Sequence, residues 1–150
     1  MLNNYWKKFL AETGRDESTK YAWSICFGMD KASADCAAER VVRGEKTAMI
    51  YPADGYRANM NRPLERGDFI IVCDWQEKPR AVAEVLSVRS IALGEISDAH
   101  CAVEAEAESL NAWKEIRLPA IKIEIEEVGG EFRDDAPLVF VEFRTAYTGA

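Results

Sequence analysis

The sequence predicts an α+β domain built on a mixed, mostly antiparallel sheet. Two observations carry that expectation. Helical spacing dominates the first 44 positions, and short apolar runs punctuated by Pro, Gly and Asp follow, interrupted by a further helical stretch. The chain has 150 residues, 48% of them hydrophobic, which is enough for one self-sufficient core, so a single domain over 1–150 is expected.

The elements follow in order. Leu2, Tyr5, Trp6, Phe9 and Leu10 share one face of a helix from Leu2 to Glu12, which Thr13-Gly14-Arg15-Asp16 ends. A second helix, rich in alanine, is expected from about Ala32 to Val42, with Gly44 as its stop. Thr47 to Tyr51 reads as a short strand ended by Pro52, and Pro52 to Pro63 as a polar loop. Arg66-Gly67-Asp68 is a turn before an apolar strand, Phe69 to Cys73; Arg80 to Val88 and Leu138 to Phe143 supply two more strands. Ser109 is placed to cap a helix carrying Leu110, Trp113 and Ile116. Beyond it two signals conflict. Ile121, Ile123 and Ile125 alternate with charged residues, which by period is a strand, and Pro119 argues against an unbroken helix.

Composition excludes several classes. No apolar run is long enough to cross a bilayer, and Met1 to Lys8 lacks the apolar core and cleavage site of a signal peptide, so a cytoplasmic protein with no membrane contact is expected. Cys26, Cys36, Cys73 and Cys101 form no C-x-x-C pair and have one histidine, His100, for company; buried thiols are expected rather than zinc or disulfides, and no metal ligands are assigned. With one histidine, the two-histidine acid–base chemistry of many ribonucleases is ruled out. A net charge of −7 speaks against a general nucleic-acid coat. The charge is uneven, however: Arg40, Arg43, Lys46, Arg57, Arg62 and Arg66 outnumber the acids between Arg40 and Gly67, while acids dominate from Asp98 to Asp135. A basic lip of that kind attracts phosphate over about 8–10 Å; two ordinary solvated surfaces fit equally.

Gly44-Glu45-Lys46-Thr47 joins a helix end to a strand start. Glycine permits a positive φ and close approach of a ligand, and the lysine sets an ammonium at the rim of the sheet, where burial lowers its pKa toward that of a useful base. Alone, the tetrapeptide also fits a surface lysine. Its context is Trp23-Ser24-Ile25-Cys26-Phe27-Gly28, then a helix, then Val41 to Ala48, followed by Arg66-Gly67-Asp68, the strand with Glu84, the acidic run before Ser109-Leu110, Trp113, Gly130-Glu131-Phe132, Pro137 and Phe143-Arg144. Together these resemble the ASCH domain family in its bacterial stand-alone branch, over 23–144, with 1–20 as an N-terminal helical extension.

The resemblance implies a PUA-like, mostly antiparallel β-barrel with flanking helices, a cleft beside Lys46, and helix across most of Trp113 to Glu127 in spite of the alternating isoleucines. It implies a ligand that is RNA or a nucleoside or nucleotide, and in some members hydrolysis: of RNA, or of N4-acylated cytidine. Lys46 falls on the base of the amidohydrolase-like members and Glu106 on their glutamate, with Glu104 and Glu108 flanking it. Their threonine nucleophile falls at Met49, which has no hydroxyl. Thr47 lies two residues off, roughly 6–7 Å along the strand, and is no simple substitute. Three readings therefore stand: a nucleotide- or RNA-binding domain with ribonuclease-like hydrolysis at Lys46 and Glu106, a non-catalytic module for a modified base or small ligand, and an amidohydrolase weakened by Met49.

Around the pair, Thr47 and Tyr51 are expected to orient the ligand, Glu84 to sit on the cleft wall, Trp23 to floor the core or cleft, and Tyr51 and Tyr56, near Arg57, to stack a base. Glu104, Glu106 and Glu108 could also collect Mg²⁺ or Mn²⁺; a solvated acidic face is the plainer reading of Glu104 and Glu108.

Overall fold

The computed structural model describes residues 1–54 and 62–149; Tyr56 and Arg57 lie outside the described residues. The element order is α1 (Leu2–Thr13), β1 (Trp23–Cys26), α2 (Lys31–Val42), β2 (Ala48–Pro52), β3 (Phe69–Cys73), β4 (Pro79–Ala92), a 3₁₀ turn (Leu93–Glu95), α3 (Asp98–Glu104), α4 (Leu110–Glu127) and β5 (Pro137–Tyr147). The described strands form one sheet in the order β1-β3-β4-β5-β2, parallel between β1 and β3 and antiparallel elsewhere.

The sheet curls into a half-barrel. Bulges between Val82 and Ala83 and between Val85 and Ser87 bend the long β4, and the two edge strands come together where Trp23 of β1 meets Tyr51 of β2, ring centroids 5.9 Å apart. Alternation along the strands then separates three apolar clusters. Inside the curl, Trp23, Ile70, Val72, Ala83, Val85, Met49 and Phe143 face Ala37, Ala38 and Val41 of α2, which stoppers the barrel. Outside it, Phe69, Ile71 and Val82 pack on α1 through Trp6, Phe9 and Leu10. Ala48, Ile50, Leu138 and Phe140 pack on α3 and α4 through Cys101, Trp113, Ile121 and Ile125.

Local chemistry fixes the junctions. Asp30 caps α2, accepting from Ser33 N at 2.8 Å, and Gly28 before it cannot carry a side chain: a Cβ there would sit 2.6 Å from Ser33 Oγ at φ +92°. α2 closes at Gly44, φ +75°, and the next two amides, Glu45 N and Lys46 N, both donate to Arg40 O. That reversal starts β2 directly beneath α2.

The structure resolves the conflict at Ile121–Ile125 in favour of helix. Ile121 and Ile125 are buried four residues apart while Ile123 points to solvent, which is a helical and not a strand pattern. Pro119 lies inside α4. A proline there costs about 3 kcal/mol, and the burial of Trp113, Ile121 and Ile125 on one stripe offsets it. Two cysteines also depart from expectation: Cys73 and Cys101 are buried, but Cys26 and Cys36 are exposed, because Cys26 sits on an edge strand and Cys36 on the outer face of α2. No helix among the described residues is long and apolar enough to cross a membrane.

Candidate functional site

The candidate site forms along the free edge of β2. Thr47 O accepts from Phe143 N at 2.9 Å, so Thr47 faces β5, and the alternation of an antiparallel ladder turns the carbonyls of Ala48 and Ile50 outward. Two cations cover them. Lys46 Nζ donates to Ala48 O at 2.8 Å, and Arg117 Nη2, from α4, donates to Ile50 O at 2.7 Å.

Lys46 is wholly enclosed, 0% exposed. Besides Ala48 O it donates to Glu104 O at 2.8 Å, lies 3.6 Å from Glu106 Oε1, and stands 4.5 Å from the centroid of the Phe27 ring. An ammonium has three protons, and three acceptors surround this one. Burial pushes it below the usual lysine value, against the opposing pull of Glu106 and Glu104.

Glu104 is almost as deep, 1% exposed. Its Oε1 accepts from Trp113 Nε1 at 2.7 Å and its Oε2 from Arg117 Nε at 3.4 Å. Burial raises its carboxyl, while Arg117 and Lys46 hold it down. Burial alone would lower the Arg117 guanidinium, but Glu104 and Glu106 outweigh it and hold Arg117 above its usual value. Glu106 Oε2 pairs with Arg117 Nε at 3.1 Å. The four side chains are charge-balanced, two cations and two anions. Only Glu106 and Arg117 reach the surface, at 16% and 18%.

The chain holds the two glutamates in place by a strained turn. α3 ends at Glu104, and Ala105 adopts a left-handed conformation, φ +55°, with its N donating to Cys101 O and its carbonyl accepting from Arg40 Nη1. A left-handed alanine costs about 1–2 kcal/mol, and strain of this sort persists where surrounding contacts impose it. Ala105→Gly should therefore raise the stability by roughly 1 kcal/mol in urea unfolding. A loss of stability would mean that the turn is not strained.

Of the expected site residues, Lys46, Glu104 and Glu106 come together. Thr47 opens β2, half-buried and bonded through its backbone to Val103 O and Phe143 N. Trp23 and Tyr51 meet on the inner face of the curl, in the same apolar cluster as the buried Met49. Glu84 is placed elsewhere. Its neighbours Ala83 and Val85 point into the barrel, so it faces the outer side, where Oε1 accepts from Arg144 Nε at 2.8 Å. The basic lip is largely spent internally: Arg40 on Ala105 O, Arg43 on Glu39, Arg62 on Asp68. Sequence reasoning missed Arg117. Its signal was the spacing Trp113, Arg117, Ile121, Ile125, which puts an arginine on the buried stripe of an otherwise apolar face.

Glu104 and Glu106 do not suit Mg²⁺ or Mn²⁺, because Lys46 and Arg117 already neutralise them and Glu108 is exposed apart from them. Among the described residues no group of three or more His, Cys, Asp and Glu is set to hold a metal.

A curled, mostly antiparallel half-barrel sheet stoppered by α2 is the architecture of a PUA-like domain. The ASCH domain family model matches residues 23–147, and the chain belongs to that family, a PUA-like fold generally linked to RNA binding. Two solved structures are similar throughout. The ASCH domain from Lactobacillus crispatus JV V101 shares 29% identity and a TM-score of 0.85, covering 96% of this chain and 92% of that one. Protein EF3133 from Enterococcus faecalis V583 has the same fold at 24% identity and TM-score 0.85, covering 100% and 92%. No curated protein matches in sequence.

Proposed function

We propose that this domain binds single-stranded RNA, or a nucleoside from it, by taking one base against Glu106 and Arg117 beside the free edge of β2. The observation that carries this reading is the exposure pattern of the charged cluster. Lys46 donates to two backbone carbonyls, stands beside Glu106 and has no exposed surface, so it is a poor phosphate contact; Glu106 and Arg117, side by side, are what a ligand can touch. A carboxylate beside a guanidinium complements a base edge that sets an N–H donor next to an acceptor: amino group and ring nitrogen in cytosine and adenine, ring N–H and carbonyl in uracil. Lys46 then acts as a positioning residue: its charge and geometry fix Glu106. Tyr51, on β2 and half-buried against Trp23, would offer its ring to a base.

The test is binding of short oligo(C), oligo(A) and oligo(U) followed by tryptophan fluorescence at several salt concentrations. Part of the binding should survive salt that screens phosphate contacts, and Glu106→Gln should remove that part. Binding that is unchanged in Glu106→Gln, with only a salt-dependent term, would refute the proposal.

One observation favours a second reading, hydrolysis. Burial pushes the Lys46 amine down toward the range of a general base, 3.6 Å from Glu106. With Met49 offering no nucleophile, water would be the attacking group and Glu106, the exposed carboxylate, its activator. Incubation with N4-acetylcytidine and with single-stranded RNA decides this, with EDTA and Mn²⁺ arms. Turnover lost in both Lys46→Ala and Glu106→Gln supports hydrolysis; turnover surviving both belongs to a contaminant.

A further inference from the structure

The strongest feature outside this site is a pair of cysteines on the opposite edge of the sheet. Cys26 of β1 and Cys73 of β3 are register partners on adjacent parallel strands. Alternation sends Trp23 and Ile25 into the barrel, leaving Ser24 and Cys26 outside. Cys73 lies on the same outer face as Phe69 and Ile71. Both cysteines line one hollow of about 630 Å³, together with Tyr21, Ser24, Gln76 and Glu77.

We propose that Cys26 and Cys73 form a dithiol site for a soft, low-coordinate cation of the Cu(I) kind. Spacing favours an ion over a disulfide. Register partners stand about 4.8 Å apart across the ladder with side chains running parallel, whereas a disulfide needs Cβ atoms about 3.5–4.5 Å apart. An ion held between two sulfurs by bonds of about 2.3 Å spans roughly 4.6 Å. Coordination number favours a soft monovalent ion over Zn²⁺, since zinc wants four ligands and no third His, Cys, Asp or Glu among the described residues completes a set.

The surroundings disfavour the thiolates. Burial pushes the Cys73 thiol up to about 11, with Cys26, Asp74 and Glu77 adding to it, and Cys26 is raised by burial and then by Asp74, Asp35 and Glu77. Thiols held protonated, chiefly by burial, react slowly with peroxide, and a bound ion has to displace their protons. Binding forms two metal–sulfur bonds and releases both thiol protons to solvent. It needs no oxidant or reductant.

The full chain, kept anaerobic, is titrated with Cu(I) in competition with the chromophoric chelator bicinchoninate. One equivalent per chain should transfer to the protein. Changes beyond the ligands themselves cost roughly 10–100-fold in metal affinity, so loss of a ligand in Cys26→Ser or Cys73→Ser should cost at least about 100-fold, and Cys36→Ser nothing. Cys26 is exposed at a strand end, so Cys26→Ser keeps the fold, checked by far-UV circular dichroism, and this variant is the deciding one. No transfer to the wild-type protein, or transfer to Cys26→Ser equal to wild type, overturns the proposal.

Discussion

Replacing Lys46 with methionine should destabilise the fold by about 3–5 kcal/mol, read as a shift in the urea midpoint at constant slope. Methionine fills much of the same volume, so the loss is not chiefly a cavity. The substitution strands two backbone carbonyls, Ala48 O and Glu104 O, and removes one of the two cations beside Glu106. It also leaves the buried Glu104 with Arg117 as its nearby cation. The pH dependence follows with a definite sign. Burial already raises the Glu104 carboxyl above the ordinary glutamate value, and Lys46 is one of the charges restraining it. In the variant its folded pKa climbs further, so between the unfolded value and the new folded value the native state holds the extra proton. Stability is then gained as pH falls through that window and lost as it rises. The deficit of Lys46→Met should shrink from pH 8 to pH 5. A deficit that is constant or grows on acidification would contradict the burial of Glu104.

The second large effect is expected at Trp113. It is 1% exposed and does two things: it fills the space between α4 and the outer face of β2 and β5, and it donates to Glu104 Oε1. Trp113→Ala should cost about 3–5 kcal/mol from the cavity alone. Trp113→Phe separates the two contributions, because it keeps most of the apolar surface and deletes the N–H. A bond to a charged acceptor contributes about 1.5–3 kcal/mol, so Trp113→Phe should lose roughly that much. It should also weaken the salt-resistant part of oligonucleotide binding, since Glu104 and Glu106 share Arg117. A Phe variant as stable as the wild type would show that the indole N–H does not hold Glu104.

Much of the fold was legible in local patterns. The spacing of Trp6, Phe9 and Leu10, the apolar run Phe69 to Cys73 and the Ser109 cap each stand where they were expected, because each depends on neighbours in sequence. What was missed depends on distant partners. β1 is four residues long and has strand geometry through its pairing with β3. α3 is a seven-residue helix whose polar sequence carries little period, and Cys101 and Glu104 are the residues it buries. Pro119 misled for a related reason: its cost is local, and the burial that offsets it is tertiary.

The site was half legible. Lys46 and Glu106 were singled out through a resemblance over 23–144, and the fold brings them together with Glu104. Their arrangement was not, since no pattern announces that a lysine beside a glycine turn will fold back to cover an edge carbonyl. Nor did any pattern announce that Arg117 would bridge both glutamates. Glu84 shows the same limit: strand alternation put it on one of two faces, and only the barrel's curl decides which face is outside.

Lys46 as a fixed counter-ion, and Glu106 as the group that meets the ligand, are both open to direct measurement. NMR follows the Lys46 ammonium and the Glu106 carboxyl carbon during titration with oligo(C). Ammonium protons that exchange slowly and stay put, with the Glu106 carbon shifting at saturation, is the predicted result. Fast-exchanging ammonium protons that move with added phosphate, and a Glu106 carbon that does not respond, would contradict it.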